Sequence, residues 1–232
     1  MADVQRILVV VAHPDDAEFG CAGSVAGWVA DGCEVYYCLL TSGNRGSDDP
    51  TMTPERLASI REAEQQAAAR VLGLKDVIFC HHPDGELEDT REARRDVVRE
   101  IRRVRPDRLV TTNPFPSLNP YSGHRDHRHA GRLALDAVYP YARDRMHFPE
   151  LLAEGFEPHK VREVYLMGHE DPDVVLDITS TIDRKLEALR CHASQFRDFA
   201  GVEGRVRERA ADLGKPHGYT YAEAFRSISL PR

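Results

Sequence analysis

The sequence has no C-x-x-C spacing, no block of basic residues and no long apolar run. Each absence excludes a class of protein. Five cysteines, Cys21, Cys33, Cys38, Cys80 and Cys191, make an odd number without metal-ligand spacing. They read as small buried hydrophobes of a reducing cytoplasm, not as a disulfide frame. Lys and Arg are interspersed with Asp and Glu, and the net charge is −7. The footprint of a nucleic-acid binder or a membrane-surface protein is therefore missing. The apolar run Ile7 to Ala12 is too short to cross a bilayer or to serve as a signal-peptide core. The glycines Gly20, Gly23 and Gly27 lack the G-x-G-x-x-G spacing of a dinucleotide turn. Internal repeats, low-complexity segments and linkers are absent too. A chain of 232 residues at 41% hydrophobic can bury one sizeable core, so residues 1–232 are expected to form a single cytoplasmic domain.

What is present starts with a β-branched run that ends in Ala12-His13-Pro14-Asp15-Asp16. The run suits a fully buried strand. Pro14 cannot donate to a ladder and biases His13 away from helix, so the chain turns there. Two carboxylates beside an imidazole form a costly cluster of charge that a divalent cation offsets. The plainer reading has Asp15 or Asp16 capping a helix that starts near Ala17.

Helical spacing covers residues 19–31, 54–73, 90–104, 182–192 and 202–213, and strands are expected over 34–40, 76–80, 107–112, 161–167 and 174–178. Residues 139–160 look irregular, and 221–228 close the chain. Arg61 and Glu64 read first as a solvated i,i+3 ion pair. His81-His82-Pro83-Asp84-Gly85 reads first as turn chemistry.

A second unusual stretch is His124-Arg125-Asp126-His127-Arg128-His129, at the start of a helical pattern resumed at Leu133. Three of the chain's 11 histidines and an aspartate bunch within it, which surface or core histidines do not ordinarily do. His124 and His127 point to one side of the helix start, whereas His129 is expected to face outward.

The alternation of strands and helices implies an α/β fold: a Rossmann-like, mostly parallel sheet with helices on both faces. In the order 3-2-1-4-5, the strands before the two clusters are neighbours, and ligands bind beyond their carboxyl ends at the switch point. Both clusters therefore face one crevice. Imidazole and carboxylate donors suit zinc with an open position for water. A spare carboxylate and a spare imidazole beside the metal are the equipment for metal-assisted hydrolysis.

These stretches resemble a known family. Ala12-His13-Pro14-Asp15-Asp16 is similar to the A-H-P-D-D signature of the PIG-L or LmbE-like zinc-dependent N-acetylglucosaminyl de-N-acetylases, and His124-Arg125-Asp126-His127 to their H-P-D-H motif. The match continues through Thr41-Ser42-Gly43, Arg61 to Glu64, Leu72-Gly73, Asp84-Gly85, Lys185 to Gln195 and Glu223-Ala224-Phe225-Arg226.

The resemblance implies a zinc enzyme that takes acetyl from an N-acetylated amino sugar or its conjugate. His13, Asp16 and His127 would hold Zn2+, with Asp15 as general base. His124 would steady the oxyanion and protonate the leaving amine, and Asp126 would orient an imidazole. Arg61, Asp84 and Asn44 would face substrate. Three departures stand out: Arg125 replaces a proline, Asn44 stands where relatives often carry an acid, and Ser122 where some carry a tyrosine. The expected partner is a small amino-sugar substrate, with no nucleic acid and no membrane. Residues 139–160 and 197–218 are open to two roles, shaping the pocket or making a homo-oligomer contact. The rival readings are a zinc amidase for a thiol conjugate or natural-product intermediate, and a non-enzymatic metal- or nucleotide-binding module.

Overall fold

The computed structural model describes residues 4–115 and 123–231. Five parallel strands are laid down first: β1 (Arg6–Val11), β2 (Glu34–Thr41), β3 (Asp76–His82), β4 (Arg108–Thr112) and β5 (Glu163–Met167). Helices α1 (Asp16–Ala30), α2 (Pro54–Leu72) and α3 (Arg91–Val104) are the first crossovers. Then come α4 (Arg125–Val138), the single turn α5 (Glu150–Ala153), strand β6 (Val174–Asp177), α6 (Ile182–Arg190), α7 (Phe199–Gly214) and strand β7 (Ala222–Ser229). The sheet order is β3-β2-β1-β4-β5-β7-β6.

The expected 3-2-1-4-5 order is thus present, extended by β7 and β6; the strand at 174–178 is among those expected, whereas residues 221–228 carry no assignment from the sequence. β7 runs antiparallel between β5 and β6. Glu223 and Phe225 are buried along it, at the alternate positions a strand presents to one face.

Period two along β1 divides the core. Leu8, Val10 and Ala12 pack with Val97 and Ile101 of α3 and Leu133 of α4. Ile7, Val9 and Val11 pack on the other face with Cys21 and Val25 of α1 and Ala68 and Leu72 of α2. A smaller cluster joins Ile182, Leu186 and Leu189 of α6 to Ala210 of α7. The five cysteines are free thiols, and Cys38 and Cys80 sit side by side on β2 and β3. No helix among the described residues is long and apolar enough to cross a membrane.

The segment 139–160 contains a 3-10 turn at Tyr141–Arg143 and α5. Its irregular carbonyls converge on Arg102, whose buried guanidinium donates to Tyr141, Ala142, Asp144 and His147 carbonyl oxygens. A helix arginine supplies the donors that this excursion lacks in a ladder.

Candidate active site

β1 ends at the switch point between β2 and β4. The Ala12 carbonyl accepts from the Thr41 amide at 2.8 Å and its hydroxyl at 3.0 Å, which fixes where the strand stops. Asp15 then takes the left-handed conformation (φ 91°), a strained one for a residue with a Cβ. The kink points His13, Asp15 and Asp16 into the crevice. Neither aspartate caps α1 through its side chain; Asp16 Oδ2 accepts from the His13 amide instead, at 2.9 Å.

Across the crevice, His124 is the N-cap of α4 and His127 lies in its first turn. His13 Nδ1 is 3.2 Å from His127 Nε2 and 3.5 Å from Asp16 Oδ2, and His127 Nε2 is 3.0 Å from Asp16 Oδ1. Two nitrogens bound at ~2.05 Å to a tetrahedral zinc stand about 3.3 Å apart. The three side chains thus lie together with the donor types zinc takes, and two groupings, His13 with His124 and His127 and His13 with Asp84 and Asp126, bring one ligand atom each close enough to share an ion.

The other His13 nitrogen faces two carboxylates. Nε2 lies 3.0 Å from Asp84 Oδ1 and 3.3 Å from Asp126 Oδ2. A proton on Nε2 leaves the Nδ1 lone pair turned toward His127 and Asp16, the arrangement by which carboxylates orient metal-binding imidazoles. Burial would lower the His13 pKa, but Asp126, Asp16 and Asp84 outweigh it and pull it up to about 12. The pocket is built to stabilise positive charge at this point.

Asp126 is itself held, accepting from the Gly85 amide at 2.6 Å and the Leu87 amide at 3.2 Å. Arg125, the departure in the second motif, braces that loop by donating to the Leu87 carbonyl at 2.6 Å and to Glu88. Its position is structural support for the turn that serves Asp126.

Asp15 is not drawn into the triad. Its Oδ2 meets Arg61 Nη2 at 3.3 Å, and its amide donates to Gln65 Oε1. Burial pushes its carboxyl up to about 7, against the pull of the Arg61 guanidinium. His124 stands with its ring 4.9 Å from those of His13 and His127. Its Nδ1 accepts from the Asp126 amide at 3.2 Å, so the neutral ring carries its proton on the free Nε2. Burial and the neighbouring His13 and His127 cations lower its pKa and favour that neutral form.

Of the residues expected to face substrate, the structure places Arg61 against Asp15 and Asp84 against His13. Arg61 is buried and pairs with Asp15, not with Glu64, which accepts from the Ser194 amide and hydroxyl at 2.7 Å each. Arg61 donates to the Pro14 carbonyl and, through Nη1, to the Gly43 carbonyl at 2.8 Å. A Cβ on Gly43 would stand 2.2 Å from Nη1, which explains the glycine of the Thr41-Ser42-Gly43 turn. Asp84 is buried between His13 and the Arg45 amide. Asn44 sits partly exposed in the loop after β2, and His129 is partly buried. Ser122 lies outside the described residues.

A cavity of about 750 Å³ opens from Asp16 and His127 toward α6 and α7. Phe19, Phe196, Val202 and Val206 form its apolar wall, and Arg197, Arg205 and Arg209 its basic one. Arg61, Asp84 and Asn44 are not among its lining residues.

The match to known proteins agrees with this geometry. Residues 8–138 match the PIG-L family, described as GlcNAc-PI de-N-acetylase. The chain belongs to the PIG-L family of de-N-acetylases. It is 35% identical over 228 residues to the diacetylchitobiose deacetylase of Thermococcus kodakarensis, covering 97% of this chain and 84% of the relative. The N,N'-diacetylchitobiose deacetylase of Pyrococcus horikoshii superposes with a TM-score of 0.91 at 32% identity, over 98% of this chain and 85% of that one. The fold also serves another reaction. GalB, the 4-carboxy-2-hydroxymuconate hydratase of Pseudomonas putida KT2440, superposes with a TM-score of 0.82 at 26% identity, over 98% of this chain and 97% of that one.

Two buried groups beyond the first motif were not legible as site residues. Glu18 and His192 are both fully buried, with Glu18 Oε2 3.5 Å from His192 Nε2 and Glu18 Oε1 accepting from Gln65 at 2.8 Å. Gln65 in turn accepts from the Asp15 amide. In the sequence, Glu18 looked like any acid in the first turn of a helix. Only the fold brings α2 and the end of α6 against it.

Proposed function

We propose that this protein hydrolyses the acetamide of an N-acetylglucosamine-type amino sugar, free or conjugated, with His13, Asp16 and His127 holding zinc. The observation that carries the reading is the His13–Asp16–His127 convergence at 3.0–3.5 Å, with Asp15 left beside it and outside it. A bound zinc ion supplies Lewis acidity and lowers the pKa of water toward about 7. This chain's residues do the rest. Asp15 takes the proton from the attacking water, with Arg61 fixing its carboxylate. His124 offers its Nε2 proton to the oxyanion and then to the departing amine, while the Asp126 amide holds its Nδ1. Asp126 and Asp84 keep the His13 proton on Nε2. The products are acetate and the free amine.

Amine release is to be measured from N-acetylglucosamine, N,N'-diacetylchitobiose and an N-acetylglucosaminyl conjugate with the zinc-loaded protein. Asp15→Asn should keep its zinc and lose turnover by about 10²–10⁴-fold, the usual contribution of a positioned general base. Near-normal hydrolysis by that variant would remove Asp15 from the role. The likeness to the Pseudomonas putida hydratase supports a second reading, in which the same base activates water for addition to a carbon–carbon double bond. Water addition to an unsaturated dicarboxylate, without amine release from any acetamide, selects it.

A further inference from the structure

Asp15 is reached from two sides by α2. Arg61 meets its carboxylate, and Gln65, one helical turn further on, meets its backbone: Gln65 Oε1 accepts from the Asp15 amide at 3.2 Å. That amide belongs neither to the ladder of β1 nor to the hydrogen bonds of α1, because Asp15 stands between the two in the left-handed conformation. A side chain has to supply its acceptor.

A carboxamide is nearly symmetrical in shape, but one end accepts and the other donates. Turned over, Gln65 would set its NH2 against the Asp15 N–H, donor against donor. The choice is made at its far end, where Gln65 Nε2 donates to Glu18 Oε1 at 2.8 Å. An ionised carboxylate only accepts. It takes the NH2 end of Gln65 and leaves the oxygen for Asp15. Glu18 is fully buried and Gln65 is 1% exposed, so bulk water does not compete for either bond.

A buried carboxylate in the first turn of α1 is costly where an apolar side chain could pack. Behind it stands His192, also fully buried, with Nε2 3.5 Å from Glu18 Oε2. His192 opens the 3-10 turn Ala193–Gln195, and Glu64 holds that turn through the Ser194 amide and hydroxyl. At adjacent positions, Glu64 and Gln65, α2 thus grips the turn that carries His192 and the kink that carries Asp15. Glu18, Gln65 and His192 are not among the residues that line the large cavity.

We infer that Glu18 is a positioning residue for the reaction: by fixing which way the Gln65 carboxamide lies, it holds the Asp15 backbone, and with it the general base, in the kink. Arg61 directs the carboxylate, and Gln65 directs the peptide that bears it. The inference rests on the deacetylase reading for what Asp15 does, but not for the hydrogen bonds that place it.

The test compares two variants with the wild type, each full-length and zinc-loaded. Gln65→Met keeps the length of the side chain and removes both ends of the carboxamide. Glu18→Gln keeps the shape and adds a donor, so that Gln65 can lie either way. For amine release, kcat should fall about 10²-fold in Gln65→Met, as for a misplacement of about 1 Å, and about tenfold in Glu18→Gln. KM should stay within about twofold, because neither side chain touches substrate. Zinc content should match the wild type. Exchange of the Asp15 amide, followed by NMR in the same samples, reads the hydrogen bond without turnover. It should be slow in the wild type and about tenfold or more faster in both variants. The other amides of α1 should keep their wild-type rates, which separates lost positioning from lost fold.

Wild-type kcat in Gln65→Met overturns the inference, and so does an Asp15 amide that stays protected in both variants. Glu18→Gln with wild-type kcat and wild-type protection removes Glu18 from the role. Raised KM at wild-type kcat also overturns it, and would put Gln65 in contact with substrate. If the wild type releases amine from no acetamide, the deacetylase reading fails and amide exchange decides alone. Protection of Asp15 lost in both variants then keeps Glu18 and Gln65 as the hold on the kink, and protection retained rejects it.

Discussion

Arg61 holds Asp15 from behind: its Nη2 reaches Asp15 Oδ2 at 3.3 Å and the Pro14 carbonyl at 2.5 Å. The same guanidinium reaches the Gly43 carbonyl through Nη1. One buried side chain thus fixes the left-handed kink, the carboxylate that follows it and the loop after β2. Its planar fork is what permits three directions at once.

Arg61→Lys should therefore lower kcat by about 10²-fold with little change in KM, because an ammonium cannot hold the kink and the carboxylate together, and a misplacement of about 1 Å costs that much. Zinc content, read by elemental analysis, should stay at the wild-type level. A variant with raised KM and wild-type kcat would instead put Arg61 in contact with substrate.

A second buried pair supports the start of α1. Lys185 Nζ lies 2.6 Å from Glu223 Oε1 and donates to the Phe19 carbonyl, while Glu223 also accepts from the Gly23 and Ser24 amides. α6 and β7 are tied through it to the helix that begins at Asp16. Removing one partner strands a buried charge. Lys185→Met should cost about 3–5 kcal/mol, read as the shift of the urea midpoint. Lys185→Met with Glu223→Gln should cost less than Lys185→Met alone, since no buried charge remains and the amide oxygen still accepts. A double variant weaker than the single would show that the charge is not the source of the loss.

Much of this was legible in the sequence for one physical reason. Parallel strands joined by helices have few arrangements, so the apolar runs before His13 and before Asn113 had to be neighbours, and the residues beyond them had to meet. That placed His13, Asp15, Asp16, His124, Asp126 and His127 in one crevice. What stayed hidden depends on distances that no spacing encodes. Arg61 and Glu64 lie three apart on α2 yet turn to different partners, Asp15 and Ser194. Asp84 looked like a turn residue or a substrate contact and is a partner of His13. The charged residues of α7 read alike in the sequence, and only the fold separates Arg207, paired with Asp183 and Glu203, from Arg205 and Arg209, which line the cavity.

Two glycines of α1 should respond unequally to alanine. A Cβ on Gly23 would stand 2.7–3.0 Å from three atoms of Ile178, its branched Cβ among them. A Cβ on Gly20 would stand 2.4 Å from the Met167 sulfur, in a side chain that can swing aside. Alanine gains about 1 kcal/mol of helix propensity at either position, and overpacking costs about 1–3 kcal/mol. Gly23→Ala should be destabilised and Gly20→Ala close to neutral, compared by thermal unfolding. The reverse order would mean that Ile178 yields more readily than Met167.

Asp107 gives a pH dependence with a definite sign. It stands just before β4, where its Oδ2 accepts from the Gln5 and Arg6 amides at 2.9 and 3.1 Å and its Oδ1 meets Arg162. It thereby joins the start of β1 to the approach to β5. Burial would raise its pKa, but the two amides and the Arg162 guanidinium outweigh burial and lower it below the ordinary carboxylate value. The unfolded chain therefore takes up this proton at a higher pH than the native state does. The stability Asp107 contributes is present in full above about pH 4, the unfolded carboxylate pKa, and is lost as the pH falls through the lower native value. Asp107→Asn keeps the size of the side chain and removes its charge. Urea midpoints of the two proteins should differ most above about pH 5 and converge as acid protonates the native carboxylate. The gap should also narrow in high salt, which screens the partly exposed Arg162 arm but not the two amide bonds. A gap that stays constant down to the acid transition would mean that the charge of Asp107 contributes nothing, and that the variant differs only in how well its carboxamide accepts from the two amides.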